Sequence, residues 1–251
     1  MMNKPMIVLL AALILPFPAA AETPREKAAR ILDSIDEMWR GDSSHGIMLM
    51  RVKTRNYSRS LKMEGWSKGK DRSLVRIILP LKEKDAATLK SGNDIFTYLP
   101  QTDRTIRLTS GMMMGSWMGS HFTNDDLVKE SRMLDDYFAE ITFAGTRDGM
   151  NIMEFTLMPK PESAVVWGKI ILSVKDENIP VKEIYYDEEM NIARTMTFTG
   201  LKNFSGRTIP AVLKVVPSDK PDEYTEVVHE SLEFDIKLPD ELFSLASLRK
   251  K

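Results

Sequence analysis

The residue types that could do chemistry are few and scattered. The chain holds three histidines, His45, His121 and His229, and no cysteine. Thiolate nucleophiles, thiolate metal sites and disulfides are therefore excluded. The histidines stand alone, with no H-x-x-x-H or mixed carboxylate spacing that would aim several ligands at one metal ion. Ser116 and Ser120 lie among glycines, but "GSWMGS" lacks the G-x-S-x-G spacing of a nucleophile elbow, and no strand runs directly into a helix there. The acidic pairs Asp125–Asp126 and Asp135–Asp136 read as charge at helix starts, where aligned peptide dipoles favour anions. The sequence thus nominates no catalytic residue, no metal ligand and no cofactor, and an enzyme is not expected.

What it concentrates instead is soft apolar surface. "GMMMGSWMGSHFTNDDL", Gly111 to Leu127, sets Met112, Met113, Met114, Trp117 and Met118 between glycines at 111, 115 and 119. Methionine is polarisable and adapts to variable apolar partners, and glycine lets the backbone bend. The pattern predicts a hinged flap over a place where something greasy is held. Each methylene taken from water is worth about 0.8 kcal/mol, so a shaped cavity and a door suffice for an acyl chain without directional contacts. On this reading, Trp117→Ala with Met118→Ala weakens fatty-acid uptake and leaves the melting transition almost unchanged.

Such a flap needs a scaffold. Thr23 or Pro24 opens a helix predicted to run to about Trp39, with Ala28, Ile31, Leu32, Ile35, Met38 and Trp39 on one stripe. Beyond Gly41 the pattern becomes short strands and turns. Met48, Met50 and Val52 alternate with Leu49, Arg51 and Lys53, and Leu61 and Met63 alternate with Lys62 and Glu64, the signature of a sheet with one wet face. Thr123 caps a short helix, and another runs from Asp240 to Leu248. The tally is about ten or eleven strands with no strand–helix–strand rhythm, which predicts a mostly β, α+β protein: one strongly curved antiparallel sheet, an incomplete β-barrel covered by helices. The parity of the strands nominates Met48, Met50, Leu61, Met63, Phe96, Trp117, Met118 and Phe122 as cavity lining, under a helical lid of Ile35, Met38 and Trp39.

Residues 1–21 stand apart. Lys4, the apolar run from Met6 to Phe17, and Ala19-Ala20-Ala21 follow the order of a secretory signal peptide, with cleavage expected after Ala21. The run is short of the roughly 20 residues that span a bilayer and is broken by Pro16 and Pro18. The remainder, residues 22–251, is expected to form a single domain in the periplasm. A net charge of -1 lacks the electrostatics of a nucleic-acid binder. Of 17 methionines, only three fall within that leader, so the mature protein keeps its methionine richness.

Several stretches together resemble the outer-membrane lipoprotein-sorting proteins, the LolA-like superfamily with its LolA/LolB-like fold. They are Trp66-Ser67-Lys68-Gly69, the strand ending Tyr98-Leu99-Pro100, the basic "RTIR" after it, and Met118-Gly119-Ser120 with Phe122-Thr123 and Asp126-Leu127. The resemblance implies a curved, unclosed barrel with a hydrophobic cavity that receives lipid or lipoprotein acyl chains. It further implies a monomeric periplasmic carrier moving cargo towards the outer membrane, between an inner-membrane exporter and an outer-membrane acceptor. His121 stands where this branch carries an acidic residue, and the family's helix-locking arginine has no evident counterpart. The competing expectation is a periplasmic sensor or protein-binding module on the same fold, with a filled interior.

Overall fold

Thr23 starts the first helix with a reciprocal cap. Its hydroxyl accepts from the Glu26 amide at 3.2 Å, and the Glu26 carboxylate accepts from the Thr23 amide at 2.8 Å. Pro24 follows at the first helical position, where a missing N–H costs nothing. The helix, α1 (Pro24–Asp36), buries Ala28, Ile31, Leu32 and Ile35. It stops short of the predicted Trp39 because the chain turns after Asp36 and reverses at Gly41, whose φ of +57° suits glycine. That turn delivers Trp39 to the sheet: its indole N–H donates to the Pro210 carbonyl at 3.0 Å, and its ring lies 5.6 Å from that of Phe198.

The structure, a computed structural model, describes residues 22–129, 133–163, 165–176 and 178–249; the expected signal peptide lies outside them. Thirteen strands form one sheet rather than the ten or eleven expected. They are β1 (Ser43–Lys53), β2 (Ser58–Lys68), β3 (Arg72–Leu79), β4 (Ala87–Ser91), β5 (Asp94–Leu99), β6 (Arg104–Arg107), β7 (Tyr137–Arg147), β8 (Met150–Pro159), β9 (Lys169–Lys175), β10 (Ile179–Tyr186), β11 (Ile192–Phe204), β12 (Arg207–Pro217) and β13 (Tyr224–Phe234). β4 and β6 are the shortest, at five and four residues.

The order is β6-β5-β4-β3-β2-β1-β13-β12-β11-β10-β9-β8-β7. The chain meanders out to β6, crosses to the far edge at β7, and meanders back until β13 pairs with β1, antiparallel, Met50 opposite Val227. The sheet is curved and unclosed, with β6 and β7 as its free edges. Its curl follows from the core: Met50, Leu61 and Met63 on β1 and β2 share one buried cluster with Phe155, Leu157 and Leu172 on β8 and β9, strands distant in the order. Alternation makes this possible, since β2 buries Leu61, Met63 and Gly65 between less enclosed neighbours.

A second cluster sits on the outer face. Leu74, Leu89 and Phe96 stand opposite one another on β3, β4 and β5 and are covered by the C-terminal segment, a 3₁₀ turn (Asp240–Phe243) followed by α2, the short helix Leu245–Leu248, through Phe243 and Leu248. Asp240 anchors that segment by accepting from Lys68 at 2.6 Å and Arg72 at 2.7 Å.

Candidate functional site

Because β6 and β7 are opposite edges, the chain between them must bridge the open side of the sheet, and the described residues 108–129 and 133–136 lie on that crossing. They form a knitted strap. Asn124 N–H donates to the Gly115 carbonyl (2.9 Å), Asp125 N–H to Met113 (3.0 Å) and Trp117 N–H to Phe122 (2.8 Å). The strap is tied to the sheet at separate points. Tyr57 Oη donates to the Gly119 carbonyl (2.7 Å), Trp117 Nε1–H donates to Thr88 Oγ1 (3.1 Å), and the His121 amide donates to Thr225 Oγ1 (2.9 Å). The glycine hinge expected from the sequence is therefore a turn: a Cβ at Gly115 would sit 2.9 Å from the Met112 carbonyl oxygen, so glycine lets the strap fold back on itself. Met112 and Met114 are 41% and 56% exposed and face solvent, while Trp117 and Phe122 reach inward.

Beneath the strap lies a cavity of about 310 Å³. Its walls are mainly apolar, with Met48, Val75, Trp117, Leu127, Met196 and Phe198 contributed by both halves of the sheet and by the strap. The volume is at the small end of the roughly 300–1,000 Å³ of ligand pockets. Of the residues nominated by the sequence, Met48, Trp117, Phe122, Ile35 and Trp39 border it. Met50, Leu61 and Met63 are fully enclosed in the solid core. Met118 is half-buried against that core at a left-handed φ of +49°. Met38, past the end of α1, packs with Phe204, Ile209 and Leu232 in a cluster of its own. Phe96 is on the outer face with Leu89, because its strand has the opposite parity: Thr88, which faces Trp117, stands opposite Thr97.

One end of the cavity is polar. Arg194 on β11 is 4% exposed and grips Asp126 of the strap with both terminal guanidinium nitrogens, Nη1 and Nη2, at 2.7 and 2.6 Å. Its guanidinium lies against Trp167 (4.4 Å) and Tyr185 (4.2 Å). Burial works against the arginine's charge, but the facing carboxylate outweighs it and holds the group above its ordinary range. Asp126 also accepts from the Thr123 amide at 2.7 Å, which fixes the start of the helix Asn124–Lys129.

Glu183 on β10 borders the same end, 4% exposed, and accepts a hydrogen bond from the Tyr185 hydroxyl. Burial pushes its carboxyl up to about 7, against the pull of that hydrogen bond and of Arg194. His229 on β13 borders the cavity from another side, with Nδ1 out of reach of any polar partner. Burial pushes its imidazole down to about 4. At the mouth, Asp36 takes Arg40 (3.0 Å) and lies 3.7 Å from Lys70. His121 joins Thr225 through Nδ1 (2.8 Å) and Glu223 through Nε2 (3.3 Å), so a hydrogen-bonded network occupies its position. Among the described residues no group of three or more histidines and carboxylates could hold a metal ion.

The sequence reading missed Glu183, Tyr185, Arg194 and Asp126. A signal was present: Arg194 shares strand parity with Met196 and Phe198, and Glu183 with Tyr185, so each charge sits on an inward, otherwise apolar face.

A family model described as "-like: Uncharacterized protein" matches residues 69–250. No curated protein matches in sequence. Among solved structures, a DUF1329 family protein from Desulfovibrio piger superposes with a TM-score of 0.81 at 18% identity, over 90% of this chain and 99% of that one. A domain assigned to outer membrane lipoprotein sorting from Vibrio parahaemolyticus gives 0.77 at 22%, over 89% and 97%. A LolA superfamily protein from Nitrosomonas europaea gives 0.74 at 22%, over 88% and 98%. At these identities the likeness is one of fold, and that fold is LolA-like.

Proposed function

Because the chain belongs to the family whose model spans residues 69–250 and has a LolA-like fold, we propose that it is a periplasmic carrier. It holds an acyl chain or comparable apolar molecule in the cavity and moves it towards the outer membrane. The observation that carries this reading is the hollow of about 310 Å³ under the strap, walled by Met48, Trp117 and Phe122. Proteins pack their interiors densely, and an apolar void left unfilled loses dispersion contacts all round its lining. A cargo restores those contacts, and each buried methylene adds about 0.8 kcal/mol. Opening the strap would leave the sheet's ladder intact, since its ties to the sheet run through side chains, the Arg194–Asp126 pair and the buried Trp117 among them. The likeness to a domain assigned to lipoprotein sorting supports the same direction of transport. The signal-peptide order of Lys4, the apolar run and Ala19-Ala20-Ala21 supports export and so the same reading.

The test is lipid extraction with native mass spectrometry of protein recovered from its own periplasm, paired with uptake of a fluorescent fatty acid by delipidated protein. A co-purifying apolar molecule and saturable uptake are expected. Protein that is empty on recovery and inert to the probe rules out transport and leaves the sensor or docking module.

A further inference from the structure

The polar end of the cavity sits oddly in a hole built only for hydrocarbon. Burying an ionisable carboxyl without a full set of partners is costly. The Asp126 carboxylate is spent on Arg194 and the Thr123 amide. Arg194 is spent on Asp126, and its guanidinium packs against Trp167 and Tyr185, whose rings meet edge-on. Glu183 keeps one hydrogen bond, from Tyr185 to Oε2, and its side chain borders the hollow. With Glu183 ionised, the set of Glu183, Asp126 and Arg194 carries one excess negative charge. The four bases that line the rest of the cavity are already engaged and do not supply the missing cation: Arg40 is held by Asp36, Lys70 lies 3.7 Å from both Asp33 and Asp36, Lys90 donates to the Lys70 carbonyl at 2.8 Å, and Arg72 is held by Asp240.

We propose that Glu183 and Tyr185 form a recognition subsite for the ammonium group of an otherwise apolar ligand, which enters amine first and lays its chain along Met196 and Phe198. An ammonium brings N–H donors for the free carboxylate oxygen and cancels the excess charge, where an anionic head would face Glu183 and Asp126 together. Tyr185 aligns the carboxylate, and its ring forms part of the wall. The groups facing Glu183 are Tyr185 from its own strand, Arg194 from β11 and Asp126 from the strap, and none of them is an available cation. The carboxyl's elevated proton affinity fits a site waiting for a positive partner. This proposal rests on the carrier reading of the cavity and narrows the cargo it takes.

The experiment is displacement of a neutral apolar fluorophore, diphenylhexatriene, by decylamine, decanol and decanoate at pH 6 and pH 8, with wild-type protein and Glu183→Gln. Decylamine is expected to compete about tenfold better than decanol and better still than decanoate, and its affinity should rise several-fold between pH 6 and 8 as Glu183 ionises. Glu183→Gln should level the three probes. Calorimetry of decylamine binding to wild-type protein at pH 6.5, in buffers of different ionisation enthalpy, should register proton release, a readout that needs no variant. Equal competition by all three probes, or a preference that survives in Glu183→Gln, overturns the subsite and leaves the carrier intact. Failure of diphenylhexatriene to bind removes the carrier and the subsite together.

Discussion

Arg194 and Asp126 form a two-pronged ion pair, 2.7 and 2.6 Å, that pins the strap to β11 across the open side of the barrel. The pair is nearly dry, with side chains 4% and 16% exposed, so its worth lies less in net attraction than in the penalty for separating it. Arg194→Met should therefore cost about 3–5 kcal/mol, the range for stranding one member of a buried pair. Adding Asp126→Asn, which keeps an acceptor for the Thr123 amide, should recover much of that loss. Urea unfolding measures both. A single variant as stable as wild type would mean that the strap is held by its apolar contacts and its other hydrogen bonds, without help from the ion pair.

Glu183 and His229 oblige stability to respond to pH in opposite senses. The Glu183 carboxyl, raised to about 7, holds its proton more tightly folded than unfolded, so its contribution is full at acidic pH and is lost as pH rises from about 4.5 through 7. The His229 imidazole, lowered to about 4, contributes fully above about 6.5 and loses that as pH falls. Each is worth on the order of 3 kcal/mol at 1.36 kcal/mol per pH unit, so between pH 4.5 and 6.5 they nearly cancel. Relative to wild type, Glu183→Gln should gain stability as pH rises across that window, and His229→Asn should gain it as pH falls. Parallel curves for the two variants would contradict the burial of one group or the other.

How far the sequence could be read depended on the range of the signal. Alternation in "MLMRV" and "LKMEG" is local, and it anticipated the inward faces of β1 and β2 and hence the curved sheet. The hollow depends on which inward side chains meet across the barrel, and Met50, Leu61 and Met63 turned out to fill their part solidly while Met48 did not. Phe96 shows the fragility of parity in a short strand, where nothing nearby fixes which face is wet. The Arg194–Asp126 pair spans 68 positions of sequence, and no local pattern joins them.

Trp117 belongs to the core as much as to the strap, which alters what its removal should do. It is 7% exposed, and its indole N–H is satisfied by Thr88. Trp117→Ala should cost about 3–5 kcal/mol, the usual toll for a buried aromatic, so the nearly unchanged melting expected of a loose flap does not follow. Met118 sits beside it at φ +49° and ψ 31°, a conformation that strains a side chain. Met118→Gly relieves the strain while giving up partial burial, and should stay within about 1 kcal/mol of wild type. Thermal melts of the two single variants separate the roles.

Val75 offers the cleanest way to close the hollow without touching its ties. It borders the cavity from β3, opposite Gly65, where a missing Cβ leaves the wall thin: an added one would lie 3.0 Å from the Met48 Cε. Phenylalanine is as good a strand former as valine, and its ring would project into space now empty. Val75→Phe should keep or raise stability, by about 0.5–2 kcal/mol as cavity-filling changes do, while cutting fatty-acid uptake at least several-fold. Leu81→Phe, at a position 77% exposed and remote from the cavity lining, serves as the control and should change neither. The two readouts must diverge for the cavity to be the seat of binding. Uptake that persists in a stable Val75→Phe protein would move the ligand elsewhere on the molecule, and a loss of uptake that only tracks a loss of stability would say nothing for the hollow.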